Sequence, residues 1–488
     1  GPGPRRAEGQ GPRRAEGPGL TSLSLVDVAL CGQARDGNGS YQSQAIGLMV
    51  DLLGAGHGPL RSLTITGCRV QEEEALDLGR ALSKNHTLER LLADRTPLAV
   101  QQLLCGERLN LNGLEFSEVD ASLMAQLLVH NTTLTCADLG GAKQLTREIK
   151  ILSDAFSRCR FQLREINVAG RLLGLEGAAS LLDALKECPL QVLDLTGNEI
   201  CGVRSSGTEP FNPYVVRMVC GLIRREGGGL RRLRLKGNHL IGNDVYTNEA
   251  VLLLADALRS PHCVLEELHL GLANKGAGLR EEEGLLLGVA LQRCAALVRL
   301  SVTRAELPMG ELLNGSTSLD LEGKGLGRTE MAIAAQILRR NHTLRSLKIS
   351  DNSMGRHGLM ALTDALVHAR PPLQEVHMGN LGITSGEEIR AFLRALRAGG
   401  APLRVLDVHS NPLCSALPAP YAGAEEPCSK ELAAELQAAM AALAELCSWL
   451  SAPGNKLARL DLRDTMLSSD ATDHPAHTEA AVSMLCAA

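Results

Sequence analysis

The apolar residues of this chain recur in a short pattern, Leu-x-x-Leu-x-Leu, along nearly its whole length. Clear copies are Leu20/Leu23/Leu25, Leu60/Leu63/Ile65, Leu163/Ile166/Val168, Leu190/Leu193/Leu195, Leu230/Leu233/Leu235 and Leu265/Leu268/Leu270. They continue as Leu297/Leu300/Val302, Leu344/Leu347/Ile349, Leu373/Val376/Met378, Leu403/Leu406/Val408 and Leu457/Leu460/Leu462. Degenerate copies stand at Leu88/Leu91, Leu109/Leu111, Leu134/Leu139 and Leu319/Leu321. Together they make about fifteen repeats, some irregular, most often about 27–30 residues apart. Alternation with period two predicts a short strand in which positions 4 and 6 point inward and positions 3, 5 and 7 face solvent. After a turn the period lengthens to that of a helix, as over 176–188, 248–260, 330–341 and 357–369. Ser385 and Glu388 stand at capping-box spacing before Ile389, Phe392, Leu393 and Leu396.

A unit this thin cannot bury its own apolar face, so its copies must stack. The expected fold is an α/β solenoid with parallel strands on one surface and helices on the other. Helices are wider than strands, so the stack should curve, with the strands on the concave face and the helices on the convex one. The array should cover 20–467. A Gly/Pro/Arg lead over 1–19 has no apolar content and is expected to be disordered, and 468–488 is expected to be a C-terminal cap or tail.

Strand-plus-helix units of this length resemble the ribonuclease-inhibitor type of leucine-rich repeat, also found in Ran GTPase-activating proteins and NOD-like receptor sensing arms. The junctions Asn85-His-Thr-Leu88, Asn131-Thr-Thr-Leu134 and Asn341-His-Thr-Leu344 are similar to that type's helix-to-strand joint. Its turn asparagine, which bonds backbone inside the turn, is matched by Asn198, Asn238, Asn352 and Asn411. Cys68 and Thr465 occupy the equivalent place in other units, while Asn274 and Asn380 are displaced by one.

A larger regularity lies above the repeat. Leu91/Leu300, Leu109/Leu319, Leu128/Leu338 and Asn131/Asn341 are offset by about 209–210 residues, which points to an internal duplication. In each half one interval shrinks to about 18–19 residues, too short for a strand, a helix and two turns. A helix-poor unit is expected there, where the arc flattens or twists.

Three intervals are long, near 28–59, 201–219 and 412–456. The second carries Phe211 and Tyr214, expected on a rim loop, and inserted loops often carry recognition. The third should hold a helix over 429–450, with Leu432, Leu436, Ala439, Leu443, Leu446 and Leu450 as an apolar stripe covering the end of the array.

Composition narrows the function. Leucine supplies 88 of 488 residues and aromatics only 2%, as expected of many similar thin layers rather than one large core. Net charge is −5, so no global field favours nucleic acid. No segment offers about 18 uncharged apolar residues, so no membrane span is expected. Fourteen cysteines without a C-x-x-C pair suggest small buried hydrophobes in a reducing, cytoplasmic compartment. The chain opens Gly1-Pro-Gly-Pro rather than on Met, as expected of part of a longer product.

No constellation for catalysis stands out. No phosphate loop of the G-x-x-x-x-G-K-[ST] form, nucleophile elbow, zinc-protease motif or calcium loop occurs. Gly323-Lys-Gly-Leu-Gly-Arg-Thr329 falls at a strand-to-helix turn, and His474, His477 and Cys486 lack a second ligand pair. No enzyme activity, cofactor or metal is therefore expected. The remaining chemistry lies at strand positions 3, 5 and 7. The candidate partner-binding residues are Arg232, Arg234, Lys236, Glu267, His269, Lys348, His377, Asp407 and His409, with Phe211 and Tyr214 on the rim. The expected function is a non-catalytic scaffold or inhibitor that binds a protein through its concave face and rim loops. The alternatives are a regulator of a small GTPase and the sensing fragment of a NOD-like receptor. Neither the partner nor the oligomeric state is written in the pattern.

Overall fold

The computed structural model describes residues 19–31, 40–56, 58–158, 163–202, 210–242, 246–271, 279–303, 305–413 and 440–465. The chain divides into two compact units, one of residues 1–166 with 183–188 and the other of 167–182 with 189–488.

In the first unit three-residue strands alternate with helices in the order β1 (Ser22–Ser24), α1 (Gln44–Gly54), β2 (Ser62–Thr64), α2 (Glu72–Leu82), β3 (Arg90–Leu92), β4 (Pro97–Ala99), α3 (Val100–Cys105), β5 (Arg108–Asn110), α4 (Glu118–Leu128), β6 (Cys136–Asp138) and α5 (Thr146–Arg158). β1, β2 and β3 pair in parallel, with Leu23, Leu63 and Leu91 in one row, and β5 pairs in parallel with β6. β7 (Glu165–Asn167) and α6 (Gly174–Leu185) contain residues of both units.

The second unit continues with β8 (Val192–Asp194), α7 (Tyr214–Arg224), β9 (Arg232–Arg234), α8 (Glu249–Leu258), β10 (Glu267–His269), α9 (Glu281–Leu291), β11 (Arg299–Ser301), β12 (Glu306–Pro308) and α10 (Met309–Leu313). It then runs through β13 (Ser318–Asp320), α11 (Arg328–Leu338), β14 (Ser346–Lys348), α12 (Gly355–Ala369), β15 (Glu375–His377), α13 (Gly386–Ala398), β16 (Val405–Asp407), α14 (Ala441–Leu450) and β17 (Arg459–Asp461). β8 to β11 are parallel, with Leu193, Leu233, Leu268 and Leu300 in one fully buried row. β13 to β17 are parallel as well. The architecture is a repeating β–α arrangement of parallel strands and helices, and positions 4 and 6 of the units face the core.

The two shortened intervals are not merely poor in helix. In each, the chain reverses into an antiparallel hairpin: Leu91 pairs with Leu98 in β3–β4, and Leu300 pairs with Leu307 in β11–β12. A short helix follows, α3 or α10, before the next parallel strand. The parallel run stops at both places: β5 belongs to a different sheet from β3, and β13 to a different sheet from β11. A tight reversal needs only a few residues, whereas a parallel return needs a full crossover. Leu98 and Leu307, at most 1% exposed, supply the inward side chains that the missing layer would have supplied.

Because α3 and α10 are short, α2 packs directly on α4, and α9 on α11. Glycine permits the approach. A Cβ on Gly79 would lie 2.6 Å from the Gln126 Cβ, and one on Gly288 would lie 2.7 Å from the Gln336 Cβ. Gly288→Ala is therefore expected to destabilise the protein by about 1–3 kcal/mol, although alanine is favoured in helices by about 1 kcal/mol. A urea midpoint that rises in this variant would contradict the close contact.

Asparagines hold successive layers together as the resemblance implied. Asn85, Asn131 and Asn341 donate to the carbonyls of Leu53, Leu103 and Ser316 at 3.0, 3.0 and 2.9 Å, and accept the amides of Thr87, Thr133 and Thr343. Inside the turns, Asn198, Asn238, Asn352 and Asn411 donate to the preceding layer's Val168, Leu195, Leu321 and Met378 carbonyls at 2.6–2.9 Å. The Cys68 thiol reproduces this bond to Leu25 at 3.1 Å, while the Thr465 hydroxyl donates within its own turn, to Leu462. Asn380 turns outward to Asp351, and Asn274 lies outside the described residues.

One local expectation needs correction. Ser385 does cap α13 by accepting the Glu387 amide, but Glu388 pairs with Arg356 at 3.3 Å instead of closing a capping box. Near the C-terminus, α14 carries part of the expected apolar stripe and lies between β16 and β17 in chain order. Its Leu443 and Leu446 are buried, and Glu445 meets Arg394 and Arg397 of α13. Leu432, Leu436 and Ala439 fall outside the described residues. The long interval near 28–59 contains α1, a helix in its regular place between two strands.

Candidate functional site

Strand register brings the outward side chains of the second unit into two rows on β8–β11. Val192, Arg232, Glu267 and Arg299 form one, and Asp194, Arg234, His269 and Ser301 the other. Neighbouring rungs lie about 4.8 Å apart, close enough for ion pairing. Arg234 meets the largely buried Asp194 at 3.2 Å, and Arg299 meets Glu267. Burial and the neighbouring Arg234 charge push the His269 imidazole below its ordinary value, which keeps it neutral at pH 7. Arg232 and Lys236 are both exposed, and among the described residues no ion pair engages either one. The stem of Lys236 runs along Gly271, where a Cβ would stand 3.4 Å from its Cγ. Among the described residues, the basic triad at β9 and just after it is therefore one paired arginine between two unengaged cations.

A second cluster occupies β14–β17. Asp407 stands between two imidazoles, with His409 Nδ1 at 2.7 Å from one oxygen and His377 Nδ1 at 3.4 Å from the other. The His409 ring covers Gly379, where a Cβ would fall 1.9 Å from the imidazole, so this arrangement requires glycine. On the next strand Arg463 grips Asp461 at 2.8 Å and holds its carboxyl down at about 2. Lys348 stands 3.8 Å from Asp320. Position 3 of β15 carries Glu375, exposed beside Ser346.

The structure thus groups Arg232, Arg234, Lys236, Glu267 and His269 on one stretch of strands, and Lys348, His377, Asp407 and His409 on another. Tyr214 is the first residue of α7 and is 53% exposed, while Phe211, three residues earlier, is half-buried. Arg299 and Arg463 join these clusters although they were not among the candidates. Their positions, 3 and 7 of their units, were the available signal.

Among the described residues no group of three or more His, Cys, Asp or Glu side chains is placed to hold a metal ion. Three backbone amides of the glycine-rich stretch at Gly323–Thr329 are spent internally: Gly323 donates to Ser350, Leu326 to Asn352 and Gly327 to Glu330. His474, His477 and Cys486 lie outside the described residues, and no described helix is long and apolar enough to cross a membrane.

No protein-family model matches the chain. It is 27% identical over 299 residues to NACHT, LRR and PYD domains-containing protein 5 of Homo sapiens, a match covering 57% of this chain and 22% of that protein. To the ribonuclease inhibitor of Mus musculus it is 26% identical over 258 residues, covering 50% of this chain and 51% of the inhibitor. Among solved structures, the leucine-rich repeat-containing protein LegL7 from Legionella pneumophila aligns over 60% of this chain and 80% of its own, at 18% identity and a TM-score of 0.28. The chain spans about half or less of the length of these curated relatives. Its repeats, its asparagine bonds and its similarity to these two curated proteins point to a distant relationship with leucine-rich-repeat proteins.

Proposed function

We propose that this chain is a non-catalytic interaction module that binds a protein partner through the outward faces of β8–β11. The carrying observation is the pair of exposed, unengaged cations Arg232 and Lys236, flanked by Arg234 and Arg299 whose charges are already matched. An acidic partner surface would find two charges to neutralise there without breaking an internal pair, and a stacked array loses little entropy on binding. Phe211 and Tyr214 extend the proposed contact along the rim, and the β14–β17 cluster adds polar readout. A reducing, cytoplasmic setting belongs to the same proposal.

The double reversal Arg232→Glu/Lys236→Glu leaves the Arg234–Asp194 pair intact. It is expected to weaken a partner found by cross-linking mass spectrometry on the order of 10- to 100-fold, with the loss shrinking at high salt. Arg259→Glu, at the end of α8, should leave affinity unchanged. Equal affinity for all three proteins would move the contact away from β9. A second proposal is that the module serves as the sensing arm of a nucleotide-dependent receptor. The observation favouring it is the match to a protein whose name carries NACHT and LRR domains, of which this chain covers 22%. A transcript with an in-frame phosphate-binding loop upstream would support that proposal.

A further inference from the structure

Two cysteines from successive layers meet at the helix-to-strand joints of the second unit. Cys263 lies between α8 and β10, and Cys294 between α9 and β11, strands that pair in register from Glu267 opposite Arg299. The two side chains lie near enough to influence one another's ionisation. Cys294 is 2% exposed and its thiol sits 3.0 Å from the carbonyl of Leu258, the last residue of α8. Cys263 is only half-buried. Cys294 also stands about 209 residues after Asn85, whose amide donates in the same manner to Leu53, so a thiol has replaced an amide at a layer-joining position.

We propose that Cys263 and Cys294 form a peroxide-reactive dithiol in which Cys263 is the attacking sulfur and Cys294 the resolving one. The Cys263 thiolate attacks one oxygen of hydrogen peroxide. The O–O bond breaks, the departing hydroxide takes a proton to become water, and Cys263 becomes a sulfenic acid. The Cys294 sulfur, giving up its proton, then attacks the Cys263 sulfur. An S–S bond forms, the S–O bond breaks, and the hydroxide leaves with that proton as a second water. Peroxide is reduced and the two thiols are oxidised to one disulfide. The electrostatics agree with this division of roles. Burial pushes the thiols of Cys31, Cys68, Cys136, Cys201, Cys220 and Cys447 up, whereas the neighbouring Cys294 side chain brings Cys263 down to about 7. The thiolate is the nucleophile in such chemistry.

The test is peptide mapping of the whole protein after brief treatment with stoichiometric hydrogen peroxide. The expected product is a Cys263–Cys294 linked peptide, two hydrogens lighter than its reduced parts, whose formation quickens as pH rises through about 7. Linking the joints should raise Tm by several degrees, reversibly with dithiothreitol. In Cys294→Ser, Cys263 should accumulate as a dimedone-trapped sulfenic acid. In Cys263→Ser, Cys294 should stay reduced at the same dose. The proposal is overturned if unmutated protein gives no such linked peptide, or if Cys294 oxidises as readily in Cys263→Ser. It is equally overturned if Cys263 proceeds to sulfinic acid without engaging Cys294.

Discussion

Asn238→Ala is expected to lower folding stability by about 3–4 kcal/mol, a large share of the roughly 5–15 kcal/mol typical of a native protein. Asn238 is 1% exposed and ties two layers with one side chain. Its Nδ2 donates to the Leu195 and Leu235 carbonyls at 2.8 and 2.9 Å, and its Oδ1 accepts the Asn198 amide at 3.0 Å. Alanine would strand three backbone groups where water does not reach, each costing about 1–3 kcal/mol when unsatisfied, with partial relief by relaxation. Asn380→Ala is the matched control. That residue sits one place off the ladder, is exposed and donates to Asp351, and its left-handed backbone (φ 49°) disfavours alanine, so its loss should cost about 1–2 kcal/mol, less than that of Asn238. Urea midpoints compare the two directly, and equal shifts would mean that the buried asparagines do not join the layers.

The second large effect is expected at Asp120, which holds the β3–β4 reversal to the start of α4. One carboxylate oxygen accepts three amides, from Arg95 at 3.1 Å, Thr96 at 3.2 Å and Ser117 at 3.2 Å, and the residue is fully buried. Asp120→Ala releases the turn and the helix start together and should cost about 2–3 kcal/mol. Asp120→Asn keeps an accepting oxygen and should cost less. The pH dependence separates charge from geometry. Burial raises this carboxyl above its ordinary 3.8, so the native state holds the proton more tightly than the unfolded chain. The contribution of this group to stability is then largest below 3.8, falls as pH rises through the raised value, and is constant above it. Asp120→Asn removes that fall, so the stability difference between native protein and variant should shrink or reverse as pH rises from about 3 to neutrality. A difference that does not change with pH would refute the buried-carboxylate account.

The same carboxylate position recurs at other helix starts. Glu74, Glu283 and Glu330 are all buried, and each accepts the backbone amide three residues before it, those of Gln71, Arg280 and Gly327. Acidic residues near a helix start are ordinary in a sequence, and nothing in their spacing marks these as fully enclosed. Glu388 makes the contrast plain: at capping-box spacing from Ser385, it turns instead to Arg356 of the neighbouring layer. The local pattern permits either outcome, and the packed neighbour selects one.

The candidate surface divides in the same way. That Arg232, Arg234 and Lys236 leave the sheet on one side follows from alternation alone, because Leu233 and Leu235 must face the core. That Arg234 is neutralised by Asp194, that Arg299 meets Glu267, and that the His409 ring needs Gly379 beneath it all depend on partners about 30–40 residues away in the chain. The hairpins at β4 and β12 were visible in outline, as matched short intervals about 209–210 residues apart, but their antiparallel sense was not.

Leucine spacing and the joint asparagines are local facts: they state, residue by residue, which side chains must avoid water, and from that the strands, the helices and the stacking follow. Charge pairing, enclosed carboxylates and the contact between Cys263 and Cys294 are facts about distance between separate layers. A linear pattern carries periodicity but no register, and only when neighbouring strands come to lie about 4.8 Å apart do these groups acquire their partners.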